Sequence, residues 1–84
     1  MIVTGEQWAV MRALYMRPGQ GSVALAAMTS VPRPLVQRAL ASLRRMRYVQ
    51  KRDGQAVLTE LGRGVVDKAV AAEVEKRERD AGPG

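Results

Sequence analysis

The chain of 84 residues contains neither cysteine nor histidine. Without cysteine it has no disulfide framework and no thiolate chemistry, so the reducing cytoplasm is its expected compartment. Without histidine it lacks the usual general base, and a zinc site would need carboxylates alone. Because neither paired carboxylates nor a phosphate-binding glycine loop is visible, we expect no enzyme, no cofactor and no metal.

Long apolar runs are also absent from the sequence, and we expect no secretory signal. No apolar run approaches the ~20 residues that would span a bilayer, and the N-terminus lacks a basic stretch followed by an apolar one. Aromatic side chains are scarce, with one Trp, two Tyr and no Phe. We therefore expect a single small domain, with no membrane attachment, whose core is built from Leu, Val, Met and Ala.

Acidic residues are missing from one long stretch of the chain. Between Gln7 and Arg52 there are nine basic residues and no Asp or Glu, whereas residues 53–84 hold five basic and seven acidic residues. The nine are Arg12, Arg17, Arg33, Arg38, Arg44, Arg45, Arg47, Lys51 and Arg52. A concentrated cationic surface attracts polyanions and holds them by releasing counterions, so nucleic acid is the first candidate partner.

Apolar periodicity and turn residues predict four helices and one hairpin. Thr4 and Gln7 can form a capping box for the first helix, and Asp53-Gly54 is a strong two-residue hairpin turn. Ser22 is expected to cap the second helix. The predicted bounds are about 4–16, 22–28 and 32–46 for the first three helices, 48–58 for the hairpin and 59–79 for the last helix, with 80–84 as a disordered tail.

The order helix, helix, turn, helix, hairpin, helix is that of a winged helix-turn-helix domain, a mainly α fold with a small β-hairpin (α+β). Residues 25–40, LAAMTSVPRPLVQRAL, resemble the helix-turn-helix of bacterial winged-helix regulators, and residues 43–66 resemble their basic hairpin and Leu-Thr-x-x-Gly-Arg segment. Over roughly residues 6–70 the chain resembles a MarR-like transcription regulator reduced to little more than its DNA-binding core. Ser30 stands where the turn usually has Gly, and Pro32 where the cap is usually Ser or Thr. Full MarR-like regulators are much longer, so sensing of a small aromatic ligand is not carried over.

The resemblance implies that the third helix lies in the major groove of double-stranded DNA, with the hairpin, or wing, on phosphates or in the minor groove. The candidate DNA-binding residues are Arg33, Pro34, Leu35, Gln37, Arg38, Arg44 and Arg45 in the helix and Lys51, Arg52 and Gln55 in the wing. Arg can hold guanine and Gln can hold adenine in bidentate fashion. Arg44, Arg45 and Arg47 lie near the helix end, where they meet backbone phosphates or nothing. The alternatives are solvated polar residues on the helix and, for the wing, protection of an edge strand.

Two adjacent apolar lines on the last helix predict self-association, because a thin domain needs only one of them for its own core. The candidate dimer-interface residues are Leu61, Val65, Val66, Val70 and Val74. The alternative is that the whole stripe closes the core of the domain itself.

The sequence thus predicts a sequence-specific double-stranded DNA-binding transcription regulator, a homodimer on a palindromic site. The alternative is a winged-helix protein-interaction module, or a small inhibitor or subunit, that binds an acidic partner surface.

Overall fold

The computed structural model describes residues 3–80, which form four α-helices and a two-stranded antiparallel hairpin. In chain order the elements are α1 (Gly5–Met16), α2 (Ser22–Thr29), α3 (Arg33–Arg45), β1 (Val49–Arg52), β2 (Gln55–Leu58) and α4 (Glu60–Asp80). The predicted winged helix-turn-helix order and the mainly α fold class are therefore confirmed. Of the predicted tail, Asp80 ends α4, and residues 81–84 lie outside the described residues.

The first two helices begin with different N-caps, a side-chain capping box at α1 and a glycine at α2. At α1 the hydroxyl of Thr4 accepts from the N–H of Gln7 at 3.2 Å, and the side chain of Gln7 accepts from the N–H of Thr4 at 3.0 Å. The predicted capping box is thus confirmed. At α2 the prediction is wrong, because the N-cap is Gly21 and Ser22 is already the first helical residue.

The turn between α2 and α3 closes without glycine. Ser30 takes the left-handed conformation, with φ of 58°. Beside it, the hydroxyl of Thr29 donates to the carbonyl of Leu25 at 2.6 Å and accepts from the N–H of Val31 at 3.3 Å. The threonine side chain thereby links the last turn of α2 to the first residue after Ser30. α3 follows directly, with Pro32 as its N-cap.

The wing is tied to the body of the domain by a third strand-like segment. Its turn residues Asp53 and Gly54 have φ of 53° and 78°, as the predicted two-residue turn requires. On the other edge of β2, Ala56 pairs with Gln20 from the α1–α2 loop. The N–H of Ala56 donates to the carbonyl of Gln20 at 2.9 Å, and the N–H of Gln20 donates back at 3.2 Å. This pairing, which the sequence did not predict, fixes the wing relative to α1 and α2.

One core receives side chains from every helix and both strands. Its buried members are Val10, Met11, Ala13, Leu14, Leu25, Val36, Ala39, Leu43, Val49, Ala56 and Val66. Only the first half of α4 reaches this core, because every residue from 71 to 80 is exposed. The protruding end of α4 gives the molecule an extent of 48 Å along its longest axis. None of the described helices is long and apolar enough to cross a membrane.

α3 ends in a Schellman motif built on a non-glycine residue. The N–H of Tyr48 donates to the carbonyl of Leu43 at 2.9 Å, and the N–H of Arg47 donates to the carbonyl of Arg44 at 3.1 Å. This pattern requires a left-handed residue just past the helix end, and Arg47 supplies it with φ of 64°.

The start of α4 is clamped onto that helix end by the Leu-Thr-x-x-Gly-Arg segment. Thr59 donates its hydroxyl to the carbonyl of Arg47 at 2.6 Å and its N–H to the carbonyl of Tyr48 at 3.0 Å. The same hydroxyl caps α4 by accepting from the N–H of Gly62 at 3.1 Å. A Cβ on Gly62 would lie 2.2 Å from the carbonyl oxygen of Tyr48. The motif therefore fixes the position of α4 against α3 and the wing.

Candidate nucleic-acid interface

The outward face of α3 carries most of the predicted contact residues. Val36, Ala39 and Leu43 turn one side of the helix into the core. At about 100° per residue, the line opposite that side is occupied by Pro34, Arg38, Ala41 and Arg45. All the predicted helix residues are exposed except Leu35, which is half-buried. α3 therefore presents its polar and cationic side to solvent along its whole length.

A groove of about 250 Å³ runs between α3 and the wing. Gln37 and Arg44 line it from the helix, and Lys51 lines it from β1. Ser22 lies at its edge, where its hydroxyl accepts a hydrogen bond from Nε of Arg33 at 3.3 Å. Helix and wing thus contribute polar and cationic groups to one shared surface.

A second, wider depression of about 610 Å³ lies beyond the C-terminal end of α3, and we call it the α3-end basin. Its lining consists of Arg44, Arg45, Arg47, Val49, Gln50, Lys51 and Thr59. Four of these seven are cationic and none is acidic. Arg44 and Lys51 line both the groove and the basin, so the two depressions adjoin each other.

Arg38 lies on the other flank of α3, against the N-terminal end of α1. Together with Leu35 it lines a depression of about 270 Å³ that also contains Glu6. Glu6 is the one acidic residue before Asp53 in the sequence. Of the candidate base readers, Gln37 and Arg38 therefore lie toward different flanks of the helix, and of these two only Arg38 shares its depression with a carboxylate.

The wing residues are divided between two faces of the hairpin. Lys51 faces α3, and because side chains alternate along a strand, Arg52 lies on the opposite face. Arg52 pairs across the turn with Gln55. A Cβ on Gly19 would lie 3.0 Å from Oε1 of Gln55, so the amide of Gln55 lies beside the α1–α2 loop. The structure brings Lys51 to the helix surface but leaves Arg52 and Gln55 apart from it.

The five candidate dimer residues on α4 do not share one surface. Val66 is fully buried in the core of this chain and has no area to offer a partner, so that prediction is corrected. Val65 and Val70 are half-buried against the same core. Leu61 and Val74 are 56% and 48% exposed. Thirteen residues apart, these two project about 140° from each other around the helix, on opposite sides of the buried stripe.

α1 and α4 are also joined by a polar contact far from the basic surface. The hydroxyl of Tyr15 donates a hydrogen bond to a carboxylate oxygen of Asp67. This bond and the negative charge of Asp67 raise the pKa of Tyr15 above its usual value, while the charge of Arg63 opposes the rise. Among residues 3–80, no group of three acidic side chains converges where it could hold a metal ion.

Comparison with known proteins gives a consistent result. A family model described as MarR family matches residues 3–56. A MarR family protein from Mycobacterium tuberculosis has 27% identity and a TM-score of 0.78, over 92% of this chain and 59% of its own. A MarR/EmrR family transcriptional regulator from Acinetobacter sp. ADP1 has 16% identity and a TM-score of 0.83, over 92% of this chain and 57% of its own. A transcriptional regulator from Thermotoga maritima has 21% identity and a TM-score of 0.77, over 96% of this chain and 64% of its own.

The last two likenesses, at their low identity, concern the fold alone. The chain spans about three fifths of the length of these solved structures. No curated protein matches the sequence significantly.

Proposed function

The chain belongs to the MarR family, and from this premise we propose that it is a sequence-specific double-stranded DNA-binding transcription regulator. In this proposal α3 lies in the major groove and the wing contacts phosphates or the minor groove. The observation that carries it is the cluster of Arg44, Arg45, Arg47 and Lys51 in the α3-end basin, of which Arg44 and Lys51 also line the groove between α3 and the wing. A duplex carries one negative charge per ~1.7 Å of its axis and suits such a surface. The absence of cysteine is compatible with the reducing cytoplasm.

Different residues have different tasks in this proposal. Arg33, Gln37 and Arg38, in the first half of α3, contact base edges, because the N-terminal residues of a recognition helix enter the groove. The hydrogen bond from Arg33 to Ser22 favours an orientation of that arginine toward α2. Lys51 contacts the backbone, with no preference for sequence. Arg52 and Gln55, on the other face of the hairpin, contact flanking phosphates only if the duplex reaches the wing tip.

The dimer in this proposal forms through α4 around Val70 and Val74. Val66, Val70 and Val74 follow one line that leaves the core where the body of the domain ends, so Val74 is half-exposed with no further part of the described chain to cover it. A second copy of the helix would bury this line, and a two-fold dimer of this kind would bind a palindromic site with one recognition helix in each half-site. Leu61 and Val65, on the other side of the buried stripe, are the competing location.

Binding of a random-sequence duplex at increasing salt tests the proposal. If a dimer neutralises six to eight phosphates, the slope of log K against log salt is about −5 to −7. Selection of bound sequences from a random duplex pool then reports the operator, and its half-site symmetry reports the oligomer. Absence of duplex binding at low salt would overturn the proposal.

The alternative function is a protein-interaction module for an acidic partner surface. Exposed apolar side chains on α1 and α2 favour it, since Met16 and Val23 are 70% and 64% exposed. The same duplex titration separates the two functions. Retention of duplex at neither low nor moderate salt would support the interaction module.

A further inference from the structure

We infer that Arg47, the residue that ends the recognition helix, holds a phosphate of the DNA backbone in the α3-end basin. Arg44, Arg45 and Lys51 complete this subsite, which carries no sequence information. The subsite rests on the proposed DNA binding and adds to it a contact beyond the groove-reading half of α3.

The backbone of Arg47 is the first reason. Its φ of 64° lies in the left-handed region, where a Cβ is unfavourable and where Gly is the usual residue at the end of a helix. Nothing in the hydrogen bonding of the Schellman motif requires a side chain at this position, because only backbone groups take part. An arginine in a conformation that disfavours it indicates that the side chain has a use.

The second reason is that this backbone is held from both sides. The N–H of Arg47 donates to the carbonyl of Arg44 at 3.1 Å, and its carbonyl accepts the hydroxyl of Thr59 at 2.6 Å. The direction of the Arg47 side chain is therefore set by α3 and α4 together. A guanidinium starting from a fixed backbone position loses less freedom when it grips a ligand.

The third reason is the set of side chains that line the basin together with Arg47. The basin is lined by four cationic side chains and by the polar side chains of Gln50 and Thr59, with no acidic side chain among its lining. Such a set attracts an anion, and an arginine fork matches the oxygens of a phosphate. The basin adjoins the groove at Arg44 and Lys51, so the backbone of a duplex that lies along α3 would pass next to it.

The experiment compares Arg47→Gly and Arg47→Ala in the full chain with a random-sequence duplex. Both variants lack the guanidinium, so both should bind about three- to tenfold more weakly. Each should also reduce the magnitude of the salt slope by about 0.9 for every phosphate that the variant no longer neutralises. Arg47→Gly should at the same time melt about 4–8 °C higher than the wild type, because glycine relieves the left-handed position, whereas Arg47→Ala should not.

Lys76→Ala, on the protruding part of α4, is the matched control because it removes one positive charge outside the basin. It should leave the salt slope unchanged. If wild type binds the duplex but Arg47→Gly and Arg47→Ala bind with the wild-type affinity and salt slope, the subsite is wrong while the DNA-binding proposal stands. If Lys76→Ala weakens binding as much as the Arg47 variants, net charge and not the basin explains the effect. If Arg47→Gly melts at a lower temperature than the wild type, the argument that the left-handed conformation of Arg47 is unfavourable is wrong.

Discussion

The α3–wing region and α4 make opposite use of charge. From Gln7 to Arg52 the chain has no acidic residue, and four of its nine cations, Arg44, Arg45, Arg47 and Lys51, line the groove or the α3-end basin. The exposed end of α4, residues 71–80, alternates four acidic with three basic residues. An alternating pattern is typical of a helix surrounded by water, whereas an unopposed one is typical of a surface for a polyanion. The difference shows that the net charge of +6 comes from the part of the chain before Asp53 and is no general property of the chain.

The largest expected effect concerns the clamp that joins the two regions. Gly62→Ala should destabilise the fold by about 3 kcal/mol, because its Cβ would lie 2.2 Å from the backbone oxygen of Tyr48. Gly64→Ala is the control two residues away, where a Cβ meets nothing within 4 Å. It should stabilise the helix by up to ~1 kcal/mol. Urea unfolding of both variants measures the difference, and equal stabilities would mean that α4 does not need this close approach.

The next effect separates the two kinds of contact within the α3–wing region. Arg38→Ala should reduce the discrimination between a selected and a random duplex by about 1–3 kcal/mol, because base contacts carry sequence information. Lys51→Ala should weaken binding to both duplexes alike. Fluorescence anisotropy with the two duplexes measures both quantities. If Arg38→Ala distinguishes the selected from the random duplex as well as the wild type does, α3 is not the helix that contacts the bases.

A smaller effect tests whether α4 is the associating region. Val74→Glu should weaken the dimer by about 1–2 kcal/mol, because a half-exposed valine would otherwise be buried by the partner. Leu61→Glu, an equal change on the opposite side of the buried stripe, should leave association intact. Sedimentation equilibrium over a range of concentrations measures both. If only Leu61→Glu causes dissociation, the interface lies on the other flank of α4. If the wild type is a monomer at high micromolar concentration, the dimer proposal is wrong.

The smallest effect concerns the link between Tyr15 on α1 and Asp67 on α4. The pKa of Tyr15 is raised in the fold, so the protonated hydroxyl is the form that folding favours. The stability from this bond is therefore full below the unfolded tyrosine pKa of about 10 and is lost as pH rises through the higher folded value. The difference in melting temperature between wild type and Tyr15→Phe should be constant near neutral pH and should shrink above about pH 10. A difference that does not change with pH would show that the bond does not contribute.

Several local features could be predicted from the sequence because all their atoms lie within a few residues. The capping box joins Thr4 to Gln7, and the hairpin turn requires only that Asp53 and Gly54 take positive φ. The prediction of Ser22 as the cap of α2 was wrong because of contacts with residues far away in the sequence. Gln20 pairs with Ala56, which fixes the loop before α2, and the hydroxyl of Ser22 accepts from Arg33. No short pattern contains these partners.

The backbone conformation of Arg47 is likewise not evident from a short pattern. No glycine stands between the predicted end of the third helix and the first strand, so a left-handed residue at that helix end, where one occurs, has to carry a side chain. That signal indicates an unusual backbone but not which residue adopts it. The Schellman hydrogen bonds from Arg47 and Tyr48 identify the residue, and the α3-end basin shows what surrounds it.

The sequence by itself determined the order of the elements, the winged helix-turn-helix class and the side of α3 that faces solvent, because periodicity and turn chemistry act over short distances along the chain. Only the tertiary structure decided that Val66 belongs to the core, that Lys51 and not Arg52 joins the helix surface, and that Gln37 and Arg38 lie on different flanks. These outcomes depend on which elements pack against each other. Apolar residues recur at the same helical spacing whether they pack against the core of their own chain or against a second chain. Only the packing in the tertiary structure therefore distinguishes a residue of the core from a residue available to a partner.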